Sequence, residues 1–328
     1  MLLFFTSVGY QSDVTMLRKG GRPLIVLVAL VAGLIILQNL VATGTAALLG
    51  QSPLLGMAAG SVSMCGGHGT AAGFSALLES KGLGGAASIT MATATFGLVA
   101  GSLIGGPIAE SLIRRKRLCE EYNGAAQAEL LKEIDNAQDT RQNLHGYMKA
   151  VCELFLAAGA GTLLSKLLAL TGLSFPTYFG ALLAAAAIRN ISESVRGCPK
   201  PSMDEISSIG TISLSLFLGM AMVSLRLWEL AGLAVPLVLM LSGQVLLMYI
   251  FCRFAAFPLL GGDYNAAVLV SALCGFGLGA TPNAMANMSA VCTKYRYVQA
   301  PFVIVPIVGA MFVDIINISV ITLFLNIL

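Results

Sequence analysis

Two stretches of this 328-residue chain set glycines among small polar side chains inside long apolar surroundings. The first runs Ser63, Met64, Cys65, Gly66, Gly67, His68, Gly69, Thr70; the second runs Cys274, Gly275, Phe276, Gly277, Leu278, Gly279, Ala280, Thr281, Pro282, Asn283. Glycines of this density break a helix, and the backbone N–H groups exposed where it restarts carry partial positive charge that suits a carboxylate. Hydroxyls of Ser63, Thr70 and Thr281 and the amide of Asn283 add donors at the same places. His68 could donate to a bound carboxylate or report pH, and a satisfied structural histidine is an equal alternative. Asp314 is the only charge between positions 297 and 328, with Asn317 three residues later on the same helical face. In the middle of a bilayer-spanning helix an aspartate costs about 2.5 to 3.5 kcal/mol, so it needs a partner. A sodium ion or a substrate ammonium would serve, and a hydrogen bond to a neighbouring helix is the plainer alternative. Thr93, Thr95, Asn283 and Asn287 offer the neutral oxygens that sodium prefers, although polar contacts between helices explain each nearly as well.

This is chemistry for holding an ion and an anion. No GxSxG nucleophile, HExxH metal motif or pair of intramembrane acids occurs, which leaves an intramembrane enzyme far behind. Glu110, Glu153 and Glu193 fall near expected span ends and receive no role. Asp135 and Asp139 have the DxxxD spacing of some magnesium-dependent membrane enzymes, but without a second acidic motif they read as a solvated helix face.

The elements that position these residues must lie in a membrane. Hydrophobic residues make up 57% of the chain and charged residues 11%, against about a quarter charged in soluble domains. Charge-free runs over 23–78, 82–109, 167–188, 206–225, 230–252 and 264–293 approach or exceed the ~20 residues that cross a hydrocarbon layer. Seven dispersed cysteines without CxxC spacing argue against zinc and against a disulfide framework. A formal charge of +3, with the basic residues between spans, makes nucleic acid a poor partner, and no cofactor motif stands out. No separate signal peptide precedes the first apolar run, which begins at Met1 and holds only about a dozen residues before Asp13.

Spans are expected near 3–15, 23–50, 86–113, 150–170, 175–191, 206–226, 230–252 and 298–327. The glycine-rich stretches 53–78 and 264–292 are expected as hairpins of two half-helices that leave on the side they entered. Loop charge supports this, because cytoplasmic loops attract lysine and arginine. With both stretches as hairpins, only Lys81, Lys166 and Arg226 of the nineteen basic residues fall outside. The first hairpin then enters from outside and the second from the cytoplasm. The order short span, long span, hairpin, long span occurs over 3–113 and again, inverted, over 206–327. Inverted repeats with broken helices near the midplane characterise secondary transporters. Backbone that leaves the helix at that depth is confined to protein-lined or watery cavities. Close helix packing is the alternative use of glycine, as in the GxxxG pair Gly101 and Gly105. The expected fold is an all-α integral membrane protein, an inverted-repeat transporter with an N-terminal repeat over 1–117, a cytoplasmic linker over 118–148 and a C-terminal repeat over 149–328. Spans 150–170 and 175–191 have no counterpart in the first half, so the chain is expected to lack two helices at its N-terminus.

The strings at 65–70, 94–107, 213–222 and 274–288, with VPIVGAMFVDIIN at 305–317, resemble the bacterial sodium/glutamate symporter family. The resemblance covers nearly the whole chain apart from the linker. It implies sodium-driven glutamate uptake across the bacterial inner membrane by a homodimer of inverted five-helix repeats, with elevator-like movement of the hairpin-bearing part. The fold relates distantly to sodium-coupled citrate carriers. Family members carry two more helices ahead of the segment 3–15, in agreement with the repeat count. On this reading the substrate residues are Ser63, Gly66, Gly67, His68, Gly69, Thr70, Gly277, Gly279, Thr281, Pro282 and Asn283, and the sodium residues Thr93, Thr95, Asn287, Asp314 and Asn317. The rivals are a proton-coupled carrier of another small organic anion, using Asp314 or His68 as proton site, and a channel.

Overall fold

The computed structural model describes residues 1–12, 14–118, 144–170, 176–194, 201–223 and 232–327, and all regular structure in them is helical. The N-terminal part contains α1 (Leu2–Tyr10), α2 (Val14–Leu48), α3 (Pro53–Ala59), α4 (Ser61–Met64), α5 (Gly67–Ser80) and α6 (Ala86–Lys116). There follow α7 (Leu144–Ala169), α8 (Thr177–Ser194), α9 (Met203–Val223) and α10 (Ala234–Phe251). A π turn (Cys252–Ala256) and α11 (Phe257–Leu259) extend α10. Then come α12 (Tyr264–Gly277), α13 (Thr281–Lys294), α14 (Gln299–Ile307), a second π turn (Val308–Val313) and α15 (Asp314–Ile327).

Four of these helices are long and apolar enough to cross a membrane: Gly21–Leu48, Ala86–Lys116, Gly146–Leu168 and Ala234–Leu259. The first is the straight part of α2, since Gly21 (φ 59°, ψ −157°) and Pro23 break its beginning. Large apolar side chains such as Leu103, Leu156, Leu216 and Val238 point outward, as lipid-facing residues would. The span expected at 3–15 is only the nine-residue α1. The expected linker lies almost entirely outside the described residues, with Asp135 and Asp139 among them, and its last residues open α7.

Both glycine-rich stretches are helices interrupted in the middle, and the first carries an additional break. There α3 starts at a Ser52 cap with Pro53 in the first turn and stops at Gly60, where the Asn39 side-chain oxygen accepts from Ser61 N at 3.0 Å. The second opens on Asp263, whose carboxylate accepts from Ala266 N at 2.7 Å. Its two halves, α12 and α13, pack on each other and on α6. The close approach needs glycine on α6: a Cβ at Gly97 would collide with the Leu278 carbonyl, and one at Gly101 would stand 2.9 Å from Cys274 O. The Gly101 and Gly105 pair thus serves packing within the chain. Buried amides fix the other side of α12. Gln38 Nε2 donates to Gly277 O at 2.6 Å, filling a carbonyl that the end of the helix leaves open, and Gln244 Nε2 donates to Gln38 O at 2.9 Å.

A cluster of helices, α7, α8 and α9, packs around α1, whose Phe5 and Val8 share a hydrophobic core with Leu55 and Phe74 of the first hairpin. The Phe5 ring stacks on Tyr178 with centroids 4.1 Å apart, and Tyr10 donates to Glu153 O at 3.2 Å. α1 therefore stands between this cluster and the hairpins.

Candidate functional site

The two interruptions meet. In the first, Cys65 is extended (φ −105°, ψ 100°) and Gly66 (φ 115°) and Gly67 (φ 55°) take conformations that side chains disfavour. In the second, Leu278 leaves the helix and Ala280 is extended (φ −150°, ψ 166°) before α13 restarts. A Cβ on Gly67 would lie 3.1 Å from Gly279 O, so the tips touch.

The helix that begins at α14 buttresses both tips. Asn317 donates through Nδ2 to Ser61 O at 3.1 Å and to Cys65 O, which holds the first break open. On the other side Gly309, in the π turn, lets Thr281 approach so closely that a Cβ there would collide with the Thr281 hydroxyl. Asp314 follows this π turn directly. Single π turns inside helices are frequent at functional sites because the extra residue re-aims the side chains around it.

Between these parts lies a cavity of about 480 Å³, within the range of small-molecule sites. Gly66, His68, Gly69 and Thr70 line it from the first tip, Thr281 and Pro282 from the second, and Asp314 from α15. His68 Nε2 lies 2.9 Å from Thr95 Oγ1. That hydroxyl donates to Met91 O at 2.9 Å, so it is left to accept from an Nε2–H of His68. Among the described residues, Ser61 Oγ, Thr70 Oγ1 and Asn317 Oδ1 are buried without a hydrogen-bond partner. Thr70 and Asn317 both reach Gly66: a Cβ there would collide with Thr70 Oγ1 and lie 3.3 Å from Asn317 Nδ2. Buried oxygens without donors are the kind of ligand a hard cation takes.

The other expected residues stand elsewhere. Gly67 and Gly279 form the contact between the tips. Ser63 donates to Ala58 O at 2.6 Å inside its own hairpin. Gly277 faces α2 and α10, where a Cβ would stand 2.8 Å from Leu34 Cδ2. Asn283 donates to Leu98 O at 2.9 Å and Ser102 Oγ at 3.0 Å, pinning α13 to α6. Asn287 does the same one turn on, at 3.0 Å from Gly101 O and 3.1 Å from Ser271 O. Thr93 is buried and donates back to Ile89 O at 2.8 Å.

Sequence reasoning missed the facing wall, which comprises Phe4, Phe5 and Val8 of α1, Gln11 just after it, and Ser207, Thr211, Leu214 and Leu218 of α9. The α9 residues recur at helical spacing, and Ser207 with Thr211 was a readable polar pair on that face. The amides Gln38, Asn39 and Gln244 in the middle of apolar runs were also a readable signal.

A family profile described as "Sodium/glutamate symporter" matches residues 1–297. This chain belongs to the sodium/glutamate symporter family. A sodium/glutamate symporter of Escherichia coli (strain K12) is 38% identical over 328 residues, covering 99% of this chain and 81% of that protein. One from Haemophilus influenzae (strain ATCC 51907 / DSM 11121 / KW20 / Rd) is 38% identical over 319 residues, covering 97% of this chain and 79% of its own length. No solved structure matches. Both tips of this sodium/glutamate symporter family member lie inside the profile match, and Asp314 and Asn317 follow it, within the pairwise match to 99% of the chain. Membership and the apolar helices together make the chain a multi-pass membrane protein.

Proposed function

We propose that this protein couples inward sodium movement to glutamate uptake across the bacterial inner membrane, and that both solutes bind where the two hairpin tips meet. The family and its 38% identical members support the reaction. The observation that carries the location is the cavity at the touching tips, lined by glycine backbone, Thr70, Thr281 and the intramembrane acid Asp314.

Glutamate's carboxylates take the N–H groups exposed at the starts of α5 and α13, with the hydroxyls of Thr70 and Thr281 and the ring of His68 beside them. Sodium takes Asp314, with Asn317 Oδ1, Thr70 Oγ1 and Ser61 Oγ as neutral oxygens. Ser63, Gly277, Asn283, Asn287 and Thr93 act at one remove, by fixing the hairpins. Each sodium charge moved inward releases about 2.3 kcal/mol per 100 mV, enough to concentrate an anion.

The halves 1–117 and 149–328 are read as inverted repeats in which α1 corresponds to α9, α2 to α10 and α6 to the helix from α14 to α15. The hairpins are re-entrant, and with α6 and the helix from α14 to α15 they travel as one body past α1 and α9, an elevator movement in a homodimer. The close packing of α6 on α5, α12 and α13 supports treating these elements as a unit. Proton coupling is the second reading, because His68 and Asp314 line one cavity.

Uptake of labelled glutamate into liposomes holding the purified protein tests the choice. Replacing external sodium by choline is expected to reduce uptake at least tenfold, and a protonophore to leave it unchanged when sodium drives it. Uptake that ignores choline and collapses with the protonophore would establish the proton reading instead.

A further inference from the structure

A groove of about 600 Å³ runs between α6 and α10. Along α6 its floor includes Ile104, Ile108 and Ser111, and along α10 it includes Ser242, Val245 and Tyr249. These are helical stripes, and each continues into a cation. Arg115 stands four residues beyond Ser111, and Arg253 four beyond Tyr249 in the π turn that packs against α6. Arg115 is exposed and Arg253 half-exposed, and neither forms an ion pair among the described residues. Nearby Glu110 is already bound by Arg114 at 2.7 Å and Lys294 at 2.8 Å. A long apolar slot therefore ends at two guanidinium groups that form no ion pair among the described residues, Arg253 lying over the Phe254 ring at 5.8 Å.

We propose that this groove holds an acyl chain of an anionic phospholipid whose phosphate rests on Arg115 and Arg253. From Phe96 to Ser111 the lining extends roughly 22 Å along α6, more than the ~15 Å of hydrocarbon in one leaflet. Arginine suits a phosphate because its planar donors bind two oxygens at once. A second copy of the chain fits less well. Two-fold symmetry in a membrane places equal ends side by side, which would bring Arg115 and Arg253 of both copies together where Glu110 is already paired with Arg114 and Lys294. The basic residues at these helix ends are those that loop charge assigns to the cytoplasm, so the lipid belongs to the inner leaflet.

Native mass spectrometry of the purified full chain, titrated with phosphatidylglycerol or phosphatidylcholine of identical chains, tests this. The wild-type protein is expected to bind phosphatidylglycerol about tenfold more tightly. R115Q/R253Q is expected to remove that preference, R115K/R253K to keep most of it, and L246W, at a residue of α10 that lines the groove, to weaken both lipids. Equal binding of the two lipids by the wild-type chain overturns the proposal without reference to any variant. So does an R115Q/R253Q variant with the same melting temperature and an undiminished preference. A dimer that L246W dissociates while lipid binding stays unchanged would assign the groove to a second copy.

Discussion

Asp314→Asn is expected to lower sodium-driven glutamate uptake at least about 100-fold while leaving the protein as thermally stable as before. The carboxylate lines the cavity beside the first tip, where the proposed ion would otherwise be held by neutral oxygens only. Leaving a buried charge without its counter-charge costs about 3 to 5 kcal/mol, and 1.4 kcal/mol is a factor of ten, so two decades is the lower bound. Stability is not lost with it, because an acid in an apolar helix carries an insertion cost of about 2.5 to 3.5 kcal/mol that asparagine lessens, which offsets the contacts removed. Uptake at a series of sodium concentrations, with a melting curve on the same preparation, reads both effects. Unaltered sodium dependence in the variant would remove Asp314 from the ion site.

Gly66→Ala has the second largest expected effect, and it acts through backbone. At φ 115° an alanine lies outside the regions open to side chains, a strain of about 1 to 3 kcal/mol. The new Cβ would also stand 3.0 Å from Thr70 Cβ and 3.3 Å from Asn317 Nδ2, the amide that holds the Cys65 carbonyl. Both groups belong to the proposed ion site, so the tip cannot relax without moving it. A loss of about 30-fold in uptake is expected, with weakened sodium affinity. Gly106→Ala is the contrast: it lies on the helix α6 with open space around its Cβ position, and uptake is expected to stay within about twofold. Equal behaviour of the two variants would refute a strained tip at Gly66.

The tips were legible because glycine density is a local property of sequence and interrupts apolar runs visibly. What joins them was not. Asn317 reaches Cys65 across 252 positions and Asn39 reaches Ser61 across 22, and nothing in the composition of either partner names the other. The stop of α3 at Gly60 comes from that Asn39 contact, so a run read as one half-helix is two. Helical periodicity gave little help inside the membrane, where both lipid-facing and core-facing sides are apolar. α1 reads as a short span for this reason, yet most of it is buried against α8 and α9, and it walls the cavity. Polar candidates divided by geometry: Thr70, Thr281 and Asp314 open into the cavity, whereas Ser63, Asn283 and Asn287 bond to nearby helix backbone. Residue type alone does not separate these roles, since each is a small polar group near a glycine.

With glutamate's carboxylates and sodium held in one cavity, opposite charges are expected to strengthen each other's binding, and linkage makes the two factors equal. Calorimetric titration of the purified protein with glutamate, in sodium and then in choline at equal ionic strength, measures this directly. The expected result is an affinity at least tenfold higher in sodium, with sodium affinity raised by the same factor when glutamate is present. Glutamate affinity that is identical in the two salts would contradict a shared site at the hairpin tips.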